Sequence, residues 1–312
     1  MAFQQQTVAM TAPVERAFRV MGNLSYLVIH GGSEELLDRA EARLRELESL
    51  WSRFLPNSDI TRANRAAGTP VPVHEDTLAV VGRAIDAWRQ TNGRFDITVL
   101  PALLATGYTH SLVDESVAPL VPGRRIGMSA WVQVDYDAGT LTVPATSAID
   151  LGGIGKGFAA DIVAEEAIEA GATGVLVNVG GDIAVMGEPS DDVSWYLGIE
   201  HPLDPPHHVA RLRVEVGGAA TSGTSFKRFT NADGHTAHHL IDPARGAPSS
   251  THTIAATVLA ADGATAESFA TAAMMVEAAE AIELLDGLGL AGLLVVDDGQ
   301  VFRTSTLKDF EV

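Results

Sequence analysis

Lys156 sits inside a glycine-rich turn, Asp150-Leu151-Gly152-Gly153-Ile154-Gly155-Lys156-Gly157, with a carboxylate, Asp150, just ahead of it. Glycines crowded at a helix start let backbone N–H groups approach a ligand closely, and such N–H groups suit phosphate oxygens. A cation in the turn strengthens that reading, so a phosphate-bearing ligand is one expectation and a ligand-free strand-to-helix turn is the other. The P-loop pattern fails, because it needs glycine where Asp150 stands and Ser or Thr where Gly157 stands. Gly155-Lys156-Gly157-Phe158-Ala159-Ala160 does fit the dinucleotide fingerprint with a final alanine, although Asp182 lies rather far along for its acidic partner.

Four other places carry chemistry. Asp96, beside Phe95, is either a helix cap or a ligand contact. Thr221 to Phe229, TSGTSFKRF, is a small-residue turn that reads as a loop or as a phosphate or ribose contact. His238 and His239 precede Asp242-Pro243, and adjacent strand residues point to opposite faces, so at most one enters a given site. Their spacing does not match a helical zinc motif. Glu267 and Thr271 stand one helical turn apart, where a carboxylate and a hydroxyl on one face can hold a hard cation or simply bond each other.

The elements that must position these groups follow from periodicity. Ala148 to Leu151 reads as a short strand feeding the glycine turn, followed by a helix with Phe158, Ile162, Val163, Ala167 and Ile168 inward and Gly171 closing it. A strand then runs to Gly180-Gly181-Asp182. Earlier, residues 18–31 alternate as a strand or hairpin, and Ser33 caps a helix with a Leu36, Leu37, Ala40, Leu44, Leu47, Trp51 stripe. Residues 51–68 read as a polar connection, and a second helix spans about 75–92. Asp137-Ala138-Gly139 joins two strands as a hairpin. From about Thr265 one helix reaches Gly287. Helices first and hairpins later argue for an α+β fold over regular βαβ winding.

Composition bounds the rest. The 312 residues suffice for a large core, with 1–13 as a disordered lead-in and 14–312 as one domain. A formal charge of −19 disfavours nucleic acid and anionic membrane as partners. No apolar run is long enough for membrane insertion, and with no cysteine there is no disulfide, thiolate metal site or lipidated cysteine. The first residues lack a secretion-signal pattern, so a cytoplasmic location is expected.

Taken together, MG at 21–22, SRF…NSDITRAN, GRFDITV, DLGGIGKG, NVGGD, TSG, HHLIDP and AE…AT occur in an order that resembles the ApbE-type FAD:protein FMN transferases, from Met21 to beyond Thr271. The resemblance implies an ApbE-like, T-fold-related architecture: mixed, largely antiparallel sheets flanked by helices, with an FAD cleft. It implies Mg²⁺-dependent transfer of FMN from FAD to a Thr or Ser hydroxyl of an acceptor flavoprotein, with release of AMP. FAD contacts fall on Met21, Phe54, Arg94, Phe95, Asp96, Asp150, Lys156 and Ile241, metal ligands on Glu267, Thr271 and the Gly153 carbonyl, and the proton acceptor on His239. Three departures stand out. Glu267 replaces the family's usual Asp, Asn23 its usual Thr, and Asp242-Pro243-Ala244-Arg245-Gly246 its usual DP[RK]TG. The rival readings are an FAD pyrophosphatase, a non-catalytic FAD-binding protein and a dinucleotide oxidoreductase.

Overall fold

Met21 and Gly22 both adopt positive φ, 50° and 71°. Two such residues in succession make a turn whose twist matches the strands it joins. Residues 18–31 therefore fold as part of a hairpin, the first two strands of the main sheet. The computed structural model describes residues 12–109, 125–189, 194–225, 228–230 and 236–312. Most of the expected lead-in, residues 1–11, lies outside these, and the first strand starts at Val14.

Among the described residues an 8-stranded antiparallel sheet has a spatial order that follows the chain. Its strands are β1 (Val14–Val20), β2 (Asn23–His30), β3 (Gly174–Val179), β4 (Asp182–Gly187), β5 (Gly217–Gly223), β6 (Thr253–Ala260), β7 (Ala291–Val296) and β8 (Val301–Arg303). The helices are α1 (Glu34–Trp51), α2 (Asp59–Arg65), α3 (Glu75–Gln90), α4 (Leu100–Ala105), α5 (Gly155–Glu169), α6 (Gly263–Ala273) and α7 (Ala278–Gly287). The α+β expectation holds. The dinucleotide reading does not, because that fold needs a parallel sheet and β3 pairs antiparallel with both β2 and β4.

One sheet face packs under the helices. Leu27, Ile29, Val177 and Val179 meet Leu37, Leu44 and Leu47 of α1 and Val163 of α5. Farther along, Ala256, Val258 and Leu294 meet Phe269 of α6 and Leu285 of α7. The other face carries a separate hairpin, Trp195–Glu200 with His208–Val214, whose Trp195, Leu197 and Leu212 cover Val185, Leu293 and Val295. With cover on both sides, every residue of β7 is buried, and its sequence AGLLVV shows no alternation.

Several local expectations change. Residues 51–68 contain α2, started by Ser58, whose Oγ accepts from the Thr61 N–H at 3.1 Å. The helix foreseen from 265 to 287 is broken after Met274, where the Ser249 and Thr251 hydroxyls donate to the Met274 carbonyl at 2.6 and 3.2 Å. In α5 the deeply buried positions are mostly small ones, Gly155, Gly157, Ala159, Ala160 and Ala164 among them, while Phe158, Ile162 and Ile168 are only half-buried. The reason is a close helix approach.

A Cβ added at Gly157 would lie 2.2 Å from the Gly263 carbonyl oxygen, so the N-termini of α5 and α6 touch backbone to backbone. Gly157→Ala must push these helices apart. It is expected to cost about 1–3 kcal/mol, read as a lower urea midpoint at unchanged slope.

Candidate active site

The stretch before the glycine turn is not a strand. Ile149 is held by one side chain of α2: Asn64 Oδ1 accepts its N–H at 2.8 Å and Asn64 Nδ2 donates to its carbonyl at 2.9 Å. The Asp150 N–H donates to the Ile97 carbonyl at 2.8 Å. These bonds replace a ladder and fix Asp150. Its Oδ1 accepts the Gly152 N–H at 2.6 Å, which closes the turn, and its Oδ2 meets Arg53 Nε at 2.7 Å.

Lys156, in the first turn of α5, points into a buried knot of charge. Its Nζ lies 2.6 Å from Asp182 Oδ2 at the start of β4, bonds Glu267 Oε1 of α6, and donates to the Gly152 carbonyl at 3.3 Å. The three side chains are 14 %, 6 % and 3 % exposed. Glu267 Oε2 accepts the Gly157 N–H at 2.8 Å, one of the amide groups at the α5 N-terminus that a bare helix would leave without a partner. Burial alone disfavours the ammonium, but two carboxylates at bonding distance outweigh it and hold Lys156 charged. Glu267 is pushed upward, by burial first and by the charge of Asp182 second, against the pull of Lys156 and the Gly157 amide. One cation among two carboxylates leaves an excess of negative charge in a dry place.

Gly153 and Thr271 come together beside this knot. A Cβ at Gly153 would fall 3.1 Å from Phe95 Cε2 and 3.2 Å from Thr271 Oγ1, so the turn lies close against the helix and the ring, and a larger residue would make both give by a few tenths of an ångström. Thr271 Oγ1 also meets Ser222 Oγ of β5 at 3.2 Å, which places the TSG run at the site's edge. Carboxylate, hydroxyl and backbone oxygen are the donors a hard cation takes. Among the described residues no cluster of three His, Asp or Glu side chains could hold a metal alone.

Asp96 is the helix cap the sequence allowed. Its Oδ1 caps the short 3-10 turn Ile97–Val99 by accepting the Thr98 N–H at 2.6 Å, and also accepts from Ser129 Oγ at 2.9 Å. Its buried Oδ2 has no partner, and burial pushes its carboxyl upward against those bonds. An acceptor left open beside Phe95 suits a ligand donor.

Arg53 is the residue the sequence did not reveal. It is 7 % exposed and carries a guanidinium between two rings, 4.2 Å from the Phe54 centroid and 5.0 Å from that of Tyr108. Tyr108 in turn stacks on Phe229 at 5.2 Å. One face of Phe54 is thus covered by the guanidinium. The signal was faint: an arginine flanked by Trp51 and Phe54, with its acid far off in sequence.

Met21 lies in the hairpin turn whose Asn23 packs on Gly180, two positions from Asp182. Ile241 is buried and paired with Pro248. His238 Nε2 meets the Ser249 carbonyl at 3.1 Å, and Ser249 is bonded to Met274 at the end of α6, so the His238-His239 segment is fastened to the helix that carries Glu267 and Thr271. Arg94 is engaged elsewhere, with Glu280 of α7 at 2.5 Å and the Thr91 carbonyl at 3.3 Å.

Asp161 locks α5 to α6 by accepting the Gly263 and Ala264 N–H groups at 2.6 and 2.9 Å. Burial pushes its carboxyl up to about 6, against those two bonds. A raised acid in the fold contributes stability that is full below its unfolded value near ~4 and is lost as pH climbs through about 6. Relative to Asp161→Asn, wild type is therefore expected to lose about 2 kcal/mol between pH 4 and 6.5, read from urea midpoints across that range.

The ApbE family profile matches residues 14–294. An FAD:protein FMN transferase of Vibrio cholerae is 28 % identical over 303 residues, covering 92 % of this chain and 89 % of that one. One of Haemophilus influenzae is 27 % identical over 288 residues, covering 88 % and 82 %. Among solved structures, the ApbE protein of Thermotoga maritima superposes with a TM-score of 0.84 at 25 % identity over 96 % of this chain and 99 % of that one. The flavin transferase ApbE of Vibrio cholerae gives 0.80 at 26 %, over 96 % and 99 %. With the glycine turn, the knot around Lys156 and the antiparallel sheet all in place, the match across nearly the whole chain means that this protein belongs to the ApbE family.

Proposed function

We propose that this chain, acting as one domain over residues 14–312, moves FMN from FAD onto a Thr or Ser hydroxyl of an acceptor flavoprotein and releases AMP. The observation that carries the reading is Lys156, buried at a glycine-rich helix start between Asp182 and Glu267, with Thr271 and Gly153 alongside. FAD's pyrophosphate carries two negative charges, and such a site supplies what it needs: a fixed cation, amide groups at a helix N-terminus, and oxygen donors for Mg²⁺. Its relatives named FAD:protein FMN transferase support the same conclusion.

In this reading Glu267, Thr271 and the Gly153 carbonyl hold Mg²⁺, which when bound neutralises charge on the transferring phosphoryl group. Lys156 faces the pyrophosphate. The contacts assigned to Asp96, Phe95, Asp150, Ile241, Met21 and the open face of Phe54 orient the FAD; Arg94 would have to leave Glu280 to join them. His239 accepts the proton of the acceptor hydroxyl as its oxygen attacks the phosphorus of the FMN half. The new bond is hydroxyl oxygen to phosphorus. The bond that breaks joins that phosphorus to the bridging oxygen, which leaves with its electron pair as AMP. Among the described residues no helix is long and apolar enough to cross a membrane.

The test is incubation with FAD, Mg²⁺ and an acceptor bearing a Thr target site, followed by in-gel flavin fluorescence and intact mass. The acceptor should become fluorescent and gain the mass of an FMN group. Free FMN and AMP with an unmodified acceptor would make the protein a pyrophosphatase, and intact FAD after hours in Mg²⁺ would make it a binding protein.

A further inference from the structure

Lys156 occupies a position that a second cation also wants. Glu267 Oε2 is tied to the Gly157 amide at 2.8 Å, which hinders rotation of the carboxylate and makes Oε1 the oxygen a newcomer would contest. Lys156 Nζ already sits on Oε1. A monovalent and a divalent cation cannot share one carboxylate oxygen in a site where Glu267 is 3 % exposed, since little water screens their repulsion. We infer that the Lys156 ammonium is a placeholder for the divalent cation: metal arriving at Glu267 expels it, and Asp182 retains it beside the turn. The inference rests on the reading of Glu267 as a metal ligand.

The charges are arranged for this exchange. Were Lys156 and Glu267 an isolated pair, a metal would have to strip the lysine of its only counter-ion. Asp182 Oδ2, 2.6 Å from Nζ, removes that penalty by keeping a carboxylate on the ammonium throughout. Lys156 stands in the first turn of α5, so its backbone is fixed and its side chain can pivot about Asp182. Once off Glu267 it has a free N–H, in a turn whose amides and glycines already suit phosphate oxygens. Metal entry thus prepares the lysine for the pyrophosphate, and Asp182 becomes a positioning residue that acts through Lys156.

The chain contains three lysines, Lys156, Lys227 and Lys308, so the ammonium can be followed directly. Full-length protein labelled with ¹³C/¹⁵N-lysine would be titrated with Mg²⁺ without FAD, the Lys156 resonance being the one retained in both Lys227→Arg and Lys308→Arg. In parallel, Mg²⁺ binding would be measured by calorimetry. The expected result is a saturable shift of the Lys156 Cε and Nζ signals with the calorimetric midpoint, and binding at least tenfold tighter in Lys156→Met. If that variant fails to fold, the wild-type titration alone decides, a midpoint-matched shift supporting the exchange. Wild type that binds Mg²⁺ while its Lys156 signals stay still, or a folded Lys156→Met that binds no tighter, overturns the placeholder and leaves the metal site standing. Glu267→Gln that binds Mg²⁺ as well as wild type, or absence of binding in both wild type and Lys156→Met, overturns the metal site and the placeholder with it.

Discussion

Glu267→Gln is expected to lower FMN transfer by about 10³-fold, or about 4 kcal/mol of transition-state stabilisation, with the fold retained. Glutamine keeps an oxygen for the Gly157 N–H but has no charge for Lys156 or for a cation. Glu267→Ala would be a poorer experiment, since it also leaves the Gly157 amide and a buried ammonium bond without a partner. Losing one side of a buried ion pair costs about 3–5 kcal/mol of stability, and lost activity could then be lost protein. Glu267→Asp separates charge from reach. The family's usual residue here is Asp, but in this chain a shorter side chain must give up either the Gly157 amide or the position facing Lys156. Its activity should fall less than that of the Gln variant, and the Mg²⁺ concentration for half-maximal rate should rise. In-gel flavin fluorescence at several Mg²⁺ concentrations measures both effects. Activity of Glu267→Gln within a few-fold of wild type would remove this residue from the metal site.

What made the site legible was local: glycines around a lysine, and an acid and hydroxyl at helical spacing. What stayed hidden was the partnership. Lys156 and Glu267 are 111 residues apart, and only the sheet, with α5 and α6 crossing through Gly157 and Gly263, makes them neighbours. Arg53 lies in what reads as a polar connection, and nothing near it in sequence announces its partner Asp150. The break between α6 and α7 was invisible for the same reason, since the hydroxyls on the Met274 carbonyl come from residues 249 and 251. Ala148 to Leu151 has strand composition, yet Asn64 and Ile97 satisfy its backbone in place of a ladder. Periodicity reports which face of an element is buried. It does not report which distant polar group will complete it.

His239→Ala is expected to slow transfer by about 10²–10⁴-fold while leaving FAD and Mg²⁺ affinity nearly unchanged. The segment's structure argues that the substitution is tolerated: His239 is half-buried, the neighbouring His238 keeps its bond to the Ser249 carbonyl, and Leu240 keeps its place in the core. If the lost function is proton acceptance, one further sign distinguishes it from a packing defect. Added imidazole should restore part of the rate, because a diffusible base can enter the space the ring leaves. Unchanged transfer by His239→Ala would pass the role to another group. The first to test would then be the carboxylate of Asp242, three positions on, whose Oδ1 accepts the Ala244 N–H.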